Sequence, residues 1–174
     1  MLMQTQTADT PSPANGRQHA QPAIDTSHHI PATRGRVTQY LPMGGESAIA
    51  YFMHKLSYET EASDVYTDLE NGIDNFLVID ARSRESFTKE HIPGAINIPH
   101  KEMNLETTAF LPTDKMMVVY CDGIGCNAST KGSLKLAALG FAVKELLGGL
   151  EWWKYDGYQT EKGPLSSNPI ACGC

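Results

Sequence analysis

The sequence lacks any long apolar run. No stretch approaches the ~18 to 20 consecutive apolar residues that a helix needs to cross a bilayer, and the first residues carry neither the basic segment nor the apolar core of a secretory signal. Basic residues are also few, since 14 Lys and Arg stand against 20 Asp and Glu and leave a net charge of −6. A nucleic-acid binder would need a basic stripe that these residues do not form. We therefore expect a cytoplasmic protein that binds neither membranes nor nucleic acids.

Cysteine is scarce as well, and its placement is uneven. The four cysteines form two close pairs, Cys121 with Cys126 and Cys172 with Cys174, the second as Cys172-Gly173-Cys174. Close pairs in a cytosolic chain indicate redox, persulfide or metal chemistry more than a structural disulfide framework. The terminal pair alone cannot supply the four ligands of a structural zinc site. We expect no metal ion and no organic cofactor.

The composition divides the chain into three parts. Residues 1–44 are rich in Gln, Thr, Pro, Ala and His without helical or strand periodicity, which predicts a mostly disordered arm. Residues 46–163 have the composition of one globular domain. Residues 164–174 are rich in Pro, Gly and Ser and predict a flexible tail that carries Cys172-Gly173-Cys174.

Strand-like and helix-like patterns alternate within the central part, which is typical of an α/β fold with a parallel sheet. Short apolar runs predict strands, and segments with cap signals predict helices. The predicted strands cover 77–79, 116–120 and 143–147, and the predicted helices cover 63–70, 83–90 and 129–139. We expect Ser63 to cap its helix. We also expect Leu134, Ala137 and Ala138 to form the core face of the last helix, and Gly148-Gly149 to form a turn.

Cys121 directly follows the strand 116–120, and ligands of open α/β sheets bind at the carboxyl ends of strands. The glycines in the following loop favour a curl whose backbone N–H groups point inward and hold an anion. Such amides and the next helix N-terminus would lower the pKa of the Cys121 thiol and make it a nucleophile. The alternative is a buried structural cysteine. The predicted active loop comprises Cys121, Asp122, Gly123, Ile124, Gly125, Cys126 and Asn127.

Two further segments, one before and one after the predicted active loop, contain distinctive motifs. One begins with Asp80-Ala81-Arg82 and reaches Pro99 through His91-Ile92-Pro93-Gly94-Ala95, and the other runs from Leu139 to Trp153. Together with Cys121 they resemble the rhodanese superfamily over residues 56–160. The resemblance implies a central, mostly parallel five-stranded sheet with helices on both faces, and a persulfide on Cys121. For most of the motif residues themselves, including Asp80, Arg82 and His91, we expect structural roles.

The loop departs from the rhodanese pattern at one position. Rhodanese loops place an Arg five residues after the cysteine, where this sequence has Cys126. No Lys or Arg occurs from Cys121 to Asn127, and repulsion by Asp122 would cost roughly 1 to 3 kcal/mol for a nearby anion. We therefore do not expect thiosulfate to be the natural donor. The missing Arg also argues against phosphatase chemistry, which needs a guanidinium clamp.

Three functions follow from these residues. The leading hypothesis is a single-domain sulfurtransferase that takes sulfane sulfur from a small-molecule donor and passes it to a thiol or protein acceptor. Loop amides from Gly123 to Asn127 would stabilise the persulfide. One alternative is a thiol-disulfide redox protein in which Cys126 resolves Cys121, although Cys126 is equally interpretable as a filler for the lost Arg. The other is a non-catalytic module that binds a partner.

Overall fold

The computed structural model describes residues 35–163. The chain divides into two units, residues 1–47 and 48–174. The described part of the first unit contains a turn in which the Thr38 amide donates to the Gly35 carbonyl at 3.2 Å. Most of the predicted arm, residues 1–34, and the whole predicted tail with Cys172 and Cys174 lie outside the described residues. The disorder of the arm and the flexibility of the tail stay predictions.

Helices and strands alternate along the described chain. The helices are α1 Gly45–Tyr58, α2 Ala62–Glu70, α3 Arg84–Lys89, α4 Ala128–Ala138 and α5 Gly149–Tyr155. The strands are β1 Glu59–Thr60, β2 Phe76–Asp80, β3 Ile96–Asn97, β4 Met116–Tyr120 and β5 Val143–Leu146.

The five strands form one sheet in the order β1-β5-β4-β2-β3, and every pair is parallel. β4 lies in the middle, where Met116–Tyr120 pairs along its whole length with Phe76–Asp80. The parallel α/β fold predicted from the sequence is confirmed. Because all carboxyl ends lie at one edge, the residues after β4 and at the end of β5 come close together there.

Each face of the sheet carries its own apolar cluster, so helices cover both faces as predicted. Helices α2, α3 and α5 contribute to one cluster, which consists of Ala62, Val65, Phe76, Val78, Phe87, Ile92, Ala95, Val118, Tyr120, Leu146, Leu150 and Trp153. Helix α4 contributes Leu136 to the other, which also contains Ile79, Ala81, Ile96, Ile98, Met103, Leu111, Met117 and Val119. The alternation of these residues along β2 and β4 is the period-2 pattern of strands buried on both faces.

The predicted core face of α4 is wrong. Leu134, Ala137 and Ala138 are exposed, and the buried residues are Ala128, Ser129, Gly132 and Leu136. The helix approaches the sheet at Gly132, where an added Cβ would lie 3.2 Å from Met103 Cε and 3.3 Å from Ala81 Cβ. Close approach therefore selects glycine at position 132, and the apolar Leu134 points outward.

The predicted cap at Ser63 is also wrong. Helix α2 begins one residue earlier, at Ala62, and Glu61 occupies the capping position without a side-chain bond to the backbone. The Ser63 hydroxyl instead donates to Glu61 Oε1 at 3.1 Å. By contrast, the Ser83 hydroxyl caps α3 by accepting from the Ser86 amide.

Candidate active site

Cys121 immediately follows the central strand β4, and its side chain is 2% exposed. Two backbone hydrogen bonds connect it and its neighbour to the start of α5. The Leu150 amide donates to the Cys121 carbonyl at 3.0 Å, and the Glu151 amide donates to the Asp122 carbonyl at 2.8 Å. The strand and the helix together therefore fix where the thiol lies.

This contact depends on glycine at position 149. Gly149 has a φ of +53°, a left-handed conformation that residues with a side chain rarely adopt. A Cβ added there would lie 2.3 Å from the Cys121 carbonyl oxygen. The Gly148-Gly149 turn predicted from the sequence is present, and its second glycine lets α5 approach the backbone of Cys121.

Three oxygen atoms surround Cys121 Sγ. The Cys126 carbonyl lies at 3.0 Å, the Ser129 hydroxyl at 3.1 Å and the Gly123 carbonyl at 3.8 Å. Burial raises the pKa of the Cys121 thiol, hydrogen bonding with the side chain and amide of Ser129 lowers it, and the neighbouring Cys126 thiol raises it again. The balance leaves this pKa above the usual value for cysteine.

The expected lowering of the pKa of Cys121 is therefore wrong, and two loop carbonyls contact the thiol. The Cys126 amide closes a turn by donating to the Gly123 carbonyl at 3.0 Å. The Cys126 and Gly123 carbonyls accept from the thiol. The expected effect of the helix N-terminus is present, because the amide of Ser129 in the first turn of α4 lowers the pKa of the thiol.

A hydrogen-bonded chain links the thiol to an acidic residue of β5. The Ser129 hydroxyl, which contacts Cys121, donates to Glu145 Oε1 at 2.7 Å. The Thr130 hydroxyl donates to the same oxygen at 2.8 Å. Sequence reasoning missed all three of these polar residues, although a Glu one residue before the carboxyl end of a strand beside β4 is placed at the ligand-binding edge.

Two cavities flank the active loop. The first, of about 200 Å³, is lined by Cys121, Cys126, Asn127 and Gly123 of the loop, and by Ser129 and Glu145 among others. The second, of about 570 Å³, is lined by Cys126 and Asp122 together with Arg82, Arg84, His100 and Lys101. Cys126 is half-buried and borders both cavities.

The other predicted loop residues take separate positions. Ile124 is 76% exposed at the tip of the loop and also borders the smaller cavity. Gly125 lines neither cavity. Gly123 lies beneath the Glu151 side chain of α5, since a Cβ added to Gly123 would lie 2.1 Å from Glu151 Oε2. The loop thus has an acidic neighbour on the α5 side as well as Glu145 on the β5 side.

Arg82 holds Asp122 away from the smaller cavity. Its guanidinium donates to Asp122 Oδ1 at 3.1 Å, to the buried Asp80 carboxylate at 2.6 Å and to the Glu90 carbonyl at 2.6 Å. Burial lowers the pKa of Arg82, but the hydrogen bonds and charge of Asp80 more than offset that effect and raise it overall. The ion pair partly neutralises the Asp122 charge that the sequence places beside Cys121.

His91 has the structural role expected for it. Its ring is buried, and Nδ1 lies 2.8 Å from the Phe87 carbonyl. The ring also stacks on Phe87, with centroids 3.7 Å apart. Within residues 35–163, no group of three or more His, Cys, Asp or Glu side chains is arranged to hold a metal ion. In the same range, no helix is both long and apolar enough to cross a membrane.

A family model for the rhodanese-like domain matches residues 61–156, more than half of the chain, including Cys121 and its loop. The chain belongs to the rhodanese-like family. The match covers the sheet from β2 onward and helices α2 to α5, so the site described above lies within the rhodanese-like domain.

Several solved and curated proteins are similar to this chain. The BH2092 protein of Bacillus halodurans is 41% identical and aligns with a TM-score of 0.66 over 67% of this chain and 85% of its own. The HTH-type transcriptional regulator Rv0324 of Mycobacterium tuberculosis is 27% identical over 81% of this chain and 70% of its own length. A Haloferax volcanii protein named "Putative thiosulfate sulfurtransferase" is 32% identical over 61% of this chain, which spans only 44% of that relative.

Proposed function

We propose that this protein is a sulfurtransferase in which Cys121 carries sulfane sulfur as a persulfide. The observation that carries the proposal is the position of the Cys121 thiol, fixed after the central strand and facing a cavity of about 200 Å³. The Ser129 amide, which lowers the pKa of the thiol, supplies a donor for an anionic sulfur, and the Ser129 hydroxyl supplies a second donor when it turns away from Glu145. Membership of the rhodanese-like family and the name of the Haloferax relative favour the same chemistry.

The reaction has two half-reactions that balance without a cofactor. The Cys121 thiolate attacks the sulfane sulfur of a donor, a new S–S bond forms on Cys121, and the donor's S–S bond breaks with its electron pair on the leaving group. An acceptor thiolate then attacks the outer sulfur of the persulfide. The Cys121 thiolate leaves and is ready for the next donor.

The charges around the smaller cavity favour donors other than thiosulfate. Among the described residues that line it, none is Lys or Arg, and Glu145 adds a carboxylate. A dianion would meet repulsion there without a compensating cation. We therefore propose a thiol-based persulfide or polysulfide as donor, and a thiol or a protein cysteine as acceptor.

Cys126 supports a second candidate, a thiol-disulfide function. It borders both cavities, and its thiol is near enough to raise the pKa of Cys121. If the Cys126 thiol attacked the inner sulfur of a Cys121 persulfide, a Cys121–Cys126 disulfide would form and hydrosulfide would leave. The two functions differ in mass, because one product gains a sulfur atom and the other loses two hydrogens.

Intact-mass analysis tests the proposal. The full chain with Cys172 and Cys174 replaced by Ser is offered thiosulfate, 3-mercaptopyruvate, glutathione persulfide and cysteine polysulfide in turn. We expect one added sulfur atom with the persulfide and polysulfide donors, and none in the Cys121→Ser variant. No added sulfur with any donor, or an equal gain in Cys121→Ser, would contradict the proposal. A product lighter by two hydrogens would support the redox alternative.

A further inference from the structure

The hydrogen-bonded chain from Cys121 through Ser129 ends on Glu145, a residue that the two sulfur-transfer half-reactions do not use. The donor and the acceptor of each hydrogen bond in this chain can be assigned. A carboxylate only accepts hydrogen bonds, so the single hydroxyl proton of Ser129 lies on the Glu145 side. The Ser129 oxygen then turns a lone pair toward Cys121 Sγ, 3.1 Å away.

All three oxygen atoms near Cys121 Sγ are consequently acceptors. The Cys126 and Gly123 carbonyls can only accept, and the Ser129 oxygen accepts for as long as its proton is held by Glu145. A thiol has one proton to give to this set, whereas a thiolate would face three electron-rich oxygens and keep only the Ser129 amide as a donor. The arrangement therefore stabilises the protonated sulfur.

We propose that Glu145 is a positioning residue of the sulfur-transfer site, which holds the Ser129 hydroxyl away from Cys121 and keeps the resting cysteine as a neutral thiol. The inference rests on the proposed function, because it assigns the residue that governs when its nucleophile is ready. To stabilise a thiolate or persulfide anion, the Ser129 hydroxyl must rotate toward the sulfur and release Glu145. Thr130 keeps the carboxylate hydrogen-bonded after that rotation.

Other titratable groups lie on the elements that carry or adjoin Cys121 and Glu145. They are Cys126 and Asp122 of the loop, Lys131 of α4, Lys144 of β5, Glu59 of β1 and Glu151 of α5. Asp122 pairs with Arg82, and Glu59, which lies beside Glu145 in the register of β1 and β5, pairs with Lys55. Among the described residues, only Glu145 accepts a hydrogen bond from the hydroxyl that touches the Cys121 thiol.

The pH dependence of Cys121 alkylation tests the proposal without any sulfur donor. The full chain carries Cys126→Ala, Cys172→Ser and Cys174→Ser, so that Cys121 is its only thiol, and the rate with iodoacetamide is measured between about pH 5 and 10. Glu145→Gln removes a negative charge that acts through one hydroxyl. We expect the midpoint of the pH–rate profile of this variant to fall by about one pH unit, with roughly tenfold faster alkylation below the midpoint.

Glu59→Gln is the matched control, because it removes a neighbouring carboxylate that makes no bond to Ser129. Its midpoint should move by less than about a third of the Glu145→Gln shift. Thiolate absorbance in the ultraviolet provides the same midpoints independently of reagent access. Equal shifts in the two variants would overturn the inference.

A double-variant cycle separates a role through Ser129 from a direct effect of charge. Ser129→Ala should raise the midpoint, since the thiolate loses a donor. In the Ser129→Ala background, Glu145→Gln should change the midpoint little. A Glu145→Gln midpoint that stays or rises, or a downward shift that persists without the Ser129 hydroxyl, would overturn the inference. Failure of sulfur transfer itself would appear in the mass assay and leave these midpoints unaffected.

Discussion

Replacing Arg82 by Met should strongly destabilise the domain, because this guanidinium is the only cation bonded to the buried Asp80 among the described residues. The side chain of Arg82 is 5% exposed and that of Asp80 is 0% exposed. Arg82 also donates to the Glu90 carbonyl and to Asp122. Removing one partner of a buried ion pair leaves an uncompensated charge and costs about 3 to 5 kcal/mol. For a domain of this size, that loss lowers the melting temperature by about 10 to 20 °C.

Urea unfolding followed by tryptophan fluorescence measures the loss, since Trp153 is buried in the core. Arg84→Met is the matched control, because the Arg84–Glu102 ion pair is exposed and should contribute less than about 1 kcal/mol. Adding Asp80→Asn to Arg82→Met should restore part of the stability by removing the orphaned charge. A loss in Arg82→Met no larger than that in Arg84→Met would refute the reasoning.

Three further predictions concern the active loop and its contact with α5. Cys126→Arg should lower the KM for thiosulfate in steady-state assays, because the new guanidinium lies beside the bound anion. The KM for a neutral donor should stay unchanged. Equal effects on both donors would indicate that the substitution only reshapes the loop. In the variant with Cys172 and Cys174 replaced by Ser, mild peroxide should form a Cys121–Cys126 disulfide, which peptide mapping detects as a bridged peptide pair. Sulfinic acid at Cys121 as the main product would contradict this prediction. Gly149→Ala should destabilise the domain by more than about 1 kcal/mol, since its Cβ would lie 2.3 Å from the Cys121 carbonyl oxygen. Gly125→Ala, where a Cβ has open space, is the control for thermal unfolding, and an equal loss in both would be inconsistent with the contact.

The central strands β2 and β4 were predictable because each contains a continuous apolar run. The runs at 77–79 and 116–120 lie within the observed β2 and β4, and the strand predicted at 143–147 ends one residue beyond β5. The two edge strands, β1 and β3, have two residues each, which is too short to show any period. Helix α1, Gly45–Tyr58, was not predicted, and none of its residues is buried among those the structure describes.

The position of the nucleophile was also predictable, whereas its surroundings were not. Cys121 follows an apolar strand and precedes a helix, and the sequence shows both. Which way the loop carbonyls point is set by the turn between Gly123 and Cys126, which has no signal in the residue types alone. Glu145 lies 16 positions after Ser129, and the two meet only because β5 pairs with β4 beside α4. Contacts that depend on sheet order are invisible to local patterns.

Sulfur transfer by paired cysteine variants tests the central claim most directly. Cys121→Ser and Cys126→Ser are prepared in the full chain, their folds are compared by circular dichroism, and transfer is assayed from the donor that loads the wild-type protein. Because an alcohol cannot hold a stable persulfide, we expect Cys121→Ser to be inactive with every donor while Cys126→Ser retains transfer. Activity in a folded Cys121→Ser variant, together with an inactive Cys126→Ser variant, would contradict the account and assign the nucleophile to Cys126.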